Sequence, residues 1–173
     1  MIFTPYVYQA ILLGAIGEEA VGAILSHYGV LFDVVPDPIF EIADLHIANT
    51  AWYIDCKNFT ERTMDNFDLP MDDPAWHEKL NDHYFKENAL RKLGIIQQHH
   101  GQDVDCKLIY LNLASREDRV RSYRDANFNN VSTFDAARIV VVQGVLNRDH
   151  PKQYNAVFES FIEALLDTLN VEE

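Results

Sequence analysis

The sequence predicts a single α/β (α+β) domain, built on a mixed central β-sheet that is flanked by helices. Three observations support this prediction. The chain has 173 residues, the usual size of one domain, and 48% of them are apolar, which is enough to form a core. Strand-like and helix-like segments alternate along the chain. One pair of strands is close enough in sequence to form an antiparallel hairpin, whereas later strands are joined through helices, as parallel strands are.

The first half of the chain predicts one helix and three strands. The helix begins at Thr4-Pro5, where Thr suits the N-cap and Pro the first helical position, and it ends at Gly29. Because this helix is apolar nearly all round, we expect it to be buried. Residues 30–35 predict a strand, and residues 40–59 predict a β-hairpin.

The middle of the chain predicts a long loop, a helix and a buried strand. Residues 58–74 are polar and acidic, and they are long for a connection inside a domain, which is typical of a functional loop. A helix is expected from about Asp73 through His100, followed by a buried strand at 105–113.

The last third predicts a short charged helix at 115–126, a buried strand at 137–145 and a final helix. The final helix has the clearest pattern, because its apolar residues recur at i, i+3, i+4 and i+7. These residues are Tyr154, Val157, Phe158, Phe161, Ile162, Leu165, Leu166 and Leu169.

Composition and charge limit the possible functions. The chain contains no 18-residue apolar run, which argues against a membrane span, and its N-terminus lacks the features of a signal peptide. Cys56 and Cys106 lie in strand-like stretches and are expected to be reduced, so we expect a cytoplasmic protein. The net charge of −13 provides no basic footprint, so a nucleic-acid surface would be small and local, or supplied by another domain or subunit.

The hairpin carries charged residues at positions that ordinary packing does not require. With a turn at residues 49–50, Asp44 lies opposite Asp55 and His46 lies opposite Tyr53. Two carboxylates that face each other repel, and a divalent cation between them reverses the sign of that interaction. The other face of the hairpin is entirely apolar and consists of Ala43, Leu45, Ile47, Trp52, Ile54 and Cys56.

Two interpretations of the charged face remain open at this point. Asp44 and Asp55 form a candidate Mg²⁺ clamp, and Lys57 shares their face, where an ammonium group can position a water or offset negative charge. Alternatively, this face is the polar outer surface that a solvated hairpin normally shows.

Asp44, ten intervening residues and then Asp55-Cys56-Lys57 resemble the signature of the PD-(D/E)XK nuclease superfamily, with Ala43 where the motif has Pro. The resemblance implies a restriction-endonuclease-like αβββαβ core over about residues 5–113, with an αβα extension over about 114–173, in one nuclease-like domain over 1–173.

An acid on the first helix often completes the site in that superfamily. The stretch GAIGEEAVG at 14–22 offers Glu18 or Glu19, and Gly14-x-x-Gly17-Glu18 is similar to the helix motif of several members. Glu18 also shares a helical sector with apolar residues, where a carboxylate is costly unless it is paired or bound to metal. We therefore favour Glu18 over Glu19.

The resemblance implies metal-dependent hydrolysis of phosphodiester bonds in nucleic acid, with Mg²⁺ or Mn²⁺ as cofactor. Asp44, Asp55 and the backbone carbonyl of Cys56 would bind the metal, Glu18 would bind the metal or its water, and Lys57 would orient the attacking water. DNA is the expected substrate, and the chain is expected to belong to a larger DNA-processing or restriction and defence protein.

Four residues on the following helix are candidates for contacts with the nucleic-acid backbone: Lys86, Arg91, Lys92 and Gln97. The alternative function is a non-catalytic nuclease-like module that serves as a scaffold, or an acidic inhibitor that mimics nucleic acid. The position of Glu18 relative to Asp44 and Asp55 separates these hypotheses, because only the enzyme requires the three carboxylates to converge.

Overall fold

A computed structural model describes residues 18–35, 42–57, 87–116, 130–147 and 151–171. Within these ranges the elements are α1 (18–27), β1 (Phe32–Val34), β2 (Leu45–Ile47), β3 (Ala51–Lys57), α2 (Glu87–His100), β4 (Cys106–Arg116), β5 (Asn130–Phe134), β6 (Ile139–Asn147) and α3 (Pro151–Leu169). The predicted helix start at Thr4-Pro5, the 58–74 loop, Lys86 and most of the predicted 115–126 helix lie outside the described residues.

The described strands form one six-stranded mixed sheet in the order β1-β2-β3-β4-β6-β5. β1, β2 and β3 form an antiparallel meander, β3, β4 and β6 run parallel, and β5 pairs antiparallel with β6. The prediction of a mixed sheet flanked by helices is therefore confirmed. β3 and β4 are the two central strands of the sheet, and β1 and β5 are its edge strands.

Two sequence predictions in the second half are wrong. β5 is a strand that the sequence did not indicate, because Asn130–Phe134 lacks a run of apolar residues and Val131 is half exposed. This edge strand is held by its pairing with β6. Ser115 and Arg116, expected to start a helix, belong to β4, since their pairing with β6 continues the ladder to its end.

One face of the sheet is covered by α1 and α3. Buried side chains of these helices meet the odd-numbered residues of β4, the even-numbered residues of β6, and the apolar face of the β2–β3 hairpin. This core cluster consists of Val21, Leu25, Leu45, Ile47, Ile54, Ile109, Leu111, Val140, Val142, Phe161, Leu165 and Leu169. The apolar face of the hairpin and the described part of the stripe on the final helix thus belong to one core, as their patterns predict.

The described part of α1 is less buried than expected. Val21 and Leu25 face the core, but residues 18–20 are exposed, so the expectation of a helix buried all round is wrong for this part. The helix ends as predicted at Gly29, which has a φ of 72°. Its amide donates to the carbonyl of Ser26, and the amide of Val30 donates to that of Leu25, which is the Schellman arrangement.

The second face of the sheet is covered by α2. Ala89, Leu93 and Ile96 of this helix are buried, and so are Leu108, Tyr110, Ile139 and Val141 on the strands beneath it. The charged face of the hairpin lies in this second layer, where Tyr53 is 4% exposed and Asp55 is 1% exposed. The interpretation of that face as an ordinary solvated surface is therefore wrong.

None of the described helices has the combination of length and apolarity that crossing a bilayer requires. Cys56 and Cys106 are both free thiols, as predicted.

Candidate functional site: a carboxylate and lysine cluster

Asp55 lies near the carboxyl end of β3, beneath α2. Its side chain is 1% exposed, and its partner in the neighbouring parallel strand is Tyr110 of β4, which is equally buried. An ionised carboxylate at such a depth is costly unless opposite charges and hydrogen bonds compensate it. The structure provides this compensation on both carboxylate oxygens.

Two lysines hold Asp55. The Nζ of Lys57, two residues further along β3, donates to Oδ1. The Nζ of Lys92, from α2, donates to Oδ2 and lies 5.5 Å from the centroid of the Tyr110 ring. A charge-assisted ion pair thus joins α2 to the centre of the sheet.

Lys92 was expected on a surface that contacts nucleic acid, and the structure corrects this expectation. It is 8% exposed, and its ammonium group is directed at Asp55. A signal for this position was present in the sequence, because Lys92 interrupts the apolar stripe of α2 formed by Ala89, Leu93 and Ile96. The same argument led to Glu18 on the first helix.

Asp44 reaches the cluster through a local irregularity of β2. The predicted hairpin register holds where Leu45 faces Ile54 and His46 faces Tyr53. In that register Asp44 would face Asp55, but its amide donates at 2.9 Å to the carbonyl of Ile54, the residue opposite Leu45.

Asp44, just before β2, and Leu45, its first residue, therefore both oppose Ile54 of β3, as in a β-bulge. The carboxylate of Asp44 accepts a 2.6 Å hydrogen bond from the amide of Cys56. The predicted direct opposition of Asp44 and Asp55 is thus replaced by an arrangement that ties Asp44 to the backbone next to Asp55. Bulges are frequent beside active sites because they redirect a side chain in this way.

Glu18, at the start of the described part of α1, is electrostatically coupled to this cluster. Partial burial, the largest cause, and the negative charges of Asp44 and Asp55 raise the pKa of Glu18, whereas Lys57 lowers it. Such effects place Glu18 within electrostatic range of Asp44, Asp55 and Lys57. The structure thus couples Glu18 to the cluster, and residues 18–20, which include Glu19, are all exposed at the surface.

The electrostatics of the cluster show excess negative charge. Burial and the charge of Asp55 raise the pKa of Asp44. The hydrogen bond from the Cys56 amide and the positive charges of Lys57 and Lys92 lower that pKa in part. Burial, followed by the charges of Asp44, Asp55 and Glu18, raises the pKa of the Cys56 thiol well above its usual range. That thiol is therefore protonated at neutral pH, and it packs against the core cluster, as predicted.

The donor atoms fit a hard divalent cation in chemical type. Asp55, Asp44 and Glu18 supply carboxylate oxygens, which are the ligands that Mg²⁺ and Mn²⁺ prefer. Among the described residues, however, no three His, Cys, Asp or Glu side chains are arranged to hold a metal ion. Binding a cation would therefore require side-chain movement, since the lysines occupy both Asp55 oxygens.

The other predicted contact residues on α2 are not part of the cluster. Arg91 is exposed and Gln97 is partly buried, and Lys86 lies outside the described residues. Their contact with nucleic acid stays a prediction, as does the role of the Cys56 carbonyl.

A second polar group lies on the same face, at the other end of α2. The Tyr53 hydroxyl and His100 Nε2 are 2.8 Å apart, and His46 Nε2 donates at 2.8 Å to the Thr50 carbonyl. The three rings are close, with centroids 4.8 Å apart for His46 and Tyr53 and 5.7 Å apart for Tyr53 and His100. These contacts fasten the end of α2 to the hairpin.

Comparison with known proteins adds no relative to this picture, since neither a protein-family model nor a curated protein matches the chain.

Proposed function

We propose that this chain is a metal-dependent nuclease domain that hydrolyses phosphodiester bonds, with a site of the PD-(D/E)XK type. One observation carries the proposal: Asp44 accepts from the Cys56 amide next to buried Asp55, which pairs with Lys57, and the charges of these three residues shift the pKa of Glu18 on a separate helix. Chance polar residues on a helix and a hairpin have no reason to converge, and placing three carboxylates together costs stability that a function has to justify. The order helix, three-stranded meander, helix, strand agrees with the same proposal.

The roles of the residues follow from their contacts. Asp44, Asp55 and Glu18 would hold Mg²⁺ or Mn²⁺, which polarises the scissile phosphate and lowers the pKa of a bound water. Lys57 pairs with Asp55 and lowers the pKa of Glu18 and Asp44, so its ammonium would orient the attacking water and offset charge on the phosphate. Lys92 holds Asp55 from the side of α2.

The expected substrate is DNA, in a reducing compartment such as the cytoplasm. The net charge of −13 makes a large phosphate-binding surface on this chain implausible, so we place most of the polymer contacts on another domain or subunit of a DNA-processing or defence protein. Arg91 and Gln97 on α2 are the described candidates for local contacts.

A second candidate function is a non-catalytic nuclease-like module. It is favoured by the two lysines, which together bind both oxygens of Asp55 and so hold the carboxylate without a metal ion. In such a module the cluster would be a structural ion network that fixes α2 against the sheet.

Cleavage assays separate the two candidates. Single- and double-stranded DNA and RNA are incubated with the protein in Mg²⁺, Mn²⁺ or EDTA, and the wild type is compared with Asp55→Asn and Lys57→Ala. Lys107→Ala is the matched control, because Lys107 lies on the opposite face of the sheet, 3.7 Å from the Trp52 ring centroid.

We expect cleavage that requires the cation, a loss of about 100-fold or more in both site variants, and no change in the control. Cleavage by the site variants at the wild-type rate would refute the proposed site. A folded wild type that cleaves none of these substrates would favour the non-catalytic module.

A further inference from the structure

Exposed apolar side chains cluster around β1, an edge strand of the sheet. Six large apolar side chains are exposed among the described residues, and three of them, Tyr28, Leu31 and Val34, lie within seven positions of the chain. Leu31 and Val34 are each 71% exposed, the highest values of the six. Apolar side chains that are exposed as a group, rather than singly, mark surfaces that bind a partner.

The outer edge of β1 presents backbone groups that can bind a further strand. The Leu31 carbonyl accepts a 2.9 Å hydrogen bond from the hairpin, and the Val35 amide donates a 3.1 Å hydrogen bond to the hairpin. Alternate residues of an antiparallel strand bond to the same neighbour, so the amides and carbonyls of Phe32 and Val34 point away from β2. No described strand lies on that side of β1, which leaves an edge of the kind that other chains can pair with.

The exposed side chains indicate the shape of the partner. Successive residues of a strand point to opposite faces of the sheet, so Leu31 lies on the face covered by α2 and Val34 on the face covered by α1 and α3. A helix or loop packed on one face would cover only one of these side chains. An extended segment added along the edge covers both, because its own side chains alternate between the same two faces.

Asp33 sets the charge that a partner needs. It is the central residue of β1, and its side chain is 72% exposed. Among the described residues, the basic group within 4.0 Å of its carboxylate is Nδ1 of His46, at 3.9 Å. Because Nε2 of that ring donates to the Thr50 carbonyl, Nδ1 of the neutral ring carries no proton, and the negative charge of Asp33 stays uncompensated.

This charge disfavours two other occupants of the edge. Two copies of the chain that pair through β1 about its central residue would place Asp33 opposite itself, with Cβ atoms about 4.5–5.5 Å apart, where like charges repel. The net charge of −13 on each copy would add to that repulsion. A nucleic-acid strand is repelled in the same way, because it carries a negative charge at every phosphate.

We propose that the outer edge of β1 binds an extended segment of a partner protein, which adds a strand to the sheet and places a Lys or Arg side chain opposite Asp33. The Phe32 and Val34 backbones supply main-chain hydrogen bonds. The Leu31 and Val34 side chains supply apolar contact, and Asp33 selects for positive charge. β1 is two strands away from β3, about 10 Å at the usual strand spacing, so the segment leaves the Asp55 cluster uncovered and binds whether or not that cluster is catalytic.

Three synthetic peptides test the proposal by NMR titration into the ¹⁵N-labelled wild-type chain. The first is acetyl-Thr-Val-Lys-Val-Leu-amide, which in antiparallel pairing places its Lys opposite Asp33 and its Leu opposite Leu31. The second peptide has Glu in place of Lys. The third keeps Lys but carries N-methyl groups on both valines, whose amides would otherwise bond to the backbone of β1.

We expect the Lys peptide to bind at least about tenfold more tightly than the Glu peptide, because opposite charges stabilise a cross-strand pair and like charges destabilise it. N-methylation should weaken binding by at least about tenfold, through the loss of two hydrogen bonds. The bound Lys peptide should also slow hydrogen exchange at the Phe32 and Val34 amides by at least about fivefold, which locates it at the outer edge.

Charge reversal at Asp33 distinguishes selection by this residue from a general attraction of basic peptides to an acidic protein. In Asp33→Lys the preference should invert, so that the Glu peptide binds more tightly than the Lys peptide. Glu163→Lys is the matched control, since it makes the same change of charge at an exposed position of α3 and should keep the wild-type preference within about twofold. Both positions are exposed, so we expect both variants to fold.

Several results would overturn the proposal. These are equal affinities for the Lys and Glu peptides, an unchanged preference in Asp33→Lys, an N-methylated peptide that binds like its parent, or no binding of the Lys peptide at about 1 mM. Exchange at the Phe32 and Val34 amides that is already slow in the dilute protein would show that the chain itself covers the edge. Exchange that slows as the protein concentration rises would show that a second copy covers it, and either result would equally overturn the proposal.

Discussion

Replacing Lys92 with Met tests whether the ion pair between α2 and β3 is as deeply buried as the structure shows. The substitution keeps the apolar stem and removes the ammonium group that binds Asp55. Removing one partner of a buried ion pair costs about 3–5 kcal/mol, because the remaining charge is left uncompensated. Since Lys57 still holds the other Asp55 oxygen, we expect the lower end, about 3 kcal/mol, or about 6–12 °C in Tm for a domain of this size.

The assay is guanidinium-induced unfolding followed by circular dichroism in EDTA, so that no cation contributes. Arg91→Met is the matched control, since Arg91 is the exposed neighbour of Lys92 on the same helix and should change stability by no more than about 0.5 kcal/mol. Combining Lys92→Met with Asp55→Asn should destabilise less than the sum of the single changes, with a coupling of at least about 1.5 kcal/mol. Additive effects, or a Lys92→Met protein as stable as the control, would refute a buried pair.

Three further predictions concern stability, each measured by urea unfolding. Burial first and neighbouring carboxylates second raise the pKa of Glu18 above 4.5, so the folded state holds its proton more tightly and stability falls as pH rises above about that value. Glu18→Gln should therefore be more stable than the wild type at pH 7 and lose this pH dependence, and an equally stable variant would contradict the shift. Gly29→Ala should lower the free energy of unfolding by about 1 kcal/mol, because φ is 72° at this position. Gly94→Ala is the control, since Gly94 lies in a helix with open space at its Cβ, and it should cause no loss of stability. Equal effects of the two changes would exclude the left-handed cap. Tyr53→Phe removes the hydrogen bond to His100 and should lower the free energy of unfolding by about 1 kcal/mol. An unchanged stability would show that water replaces this contact.

Local patterns in the sequence predict the parts of the fold that depend on side-chain periodicity. The alternation in the hairpin fixes which residues face the core, and the pairs Leu45–Ile54 and His46–Tyr53 follow from it. The apolar stripe of α3 and the left-handed residue Gly29 are local in the same sense. These features depend on neighbours within a few positions of the chain.

Features that depend on backbone pairing between distant segments are not predictable in this way. The bulge at Asp44 lies at the start of β2, where the backbone bonds to segments on both sides. The Asp44 carbonyl accepts from the amide of Val35, and the Asp44 amide donates to the carbonyl of Ile54. Nothing in the residue types near Asp44 distinguishes this geometry from a regular pair. Edge strand β5 was missed for a similar reason, because backbone pairing with β6 holds it rather than an apolar face.

The candidate site was predictable where a charge interrupts an apolar pattern. Glu18 is found by this criterion, and Lys92 meets it as well, although the sequence predicts that Lys92 contacts nucleic acid. Only the three-dimensional arrangement shows that α2 covers the charged face of the hairpin and brings Lys92 to Asp55. The criterion identifies the residues, and the fold decides which of them meet.

The central claim is that Glu18 belongs to one catalytic cluster with Asp44, Asp55 and Lys57. The most direct test is the rate of Mg²⁺-dependent nucleic-acid cleavage by Glu18→Gln and by Glu19→Gln, adjacent changes that are identical in size and charge. We predict a loss of about 100-fold or more for Glu18→Gln and a rate within about threefold of the wild type for Glu19→Gln. Equal rates for the two variants, or a larger loss for Glu19→Gln, would contradict the claim.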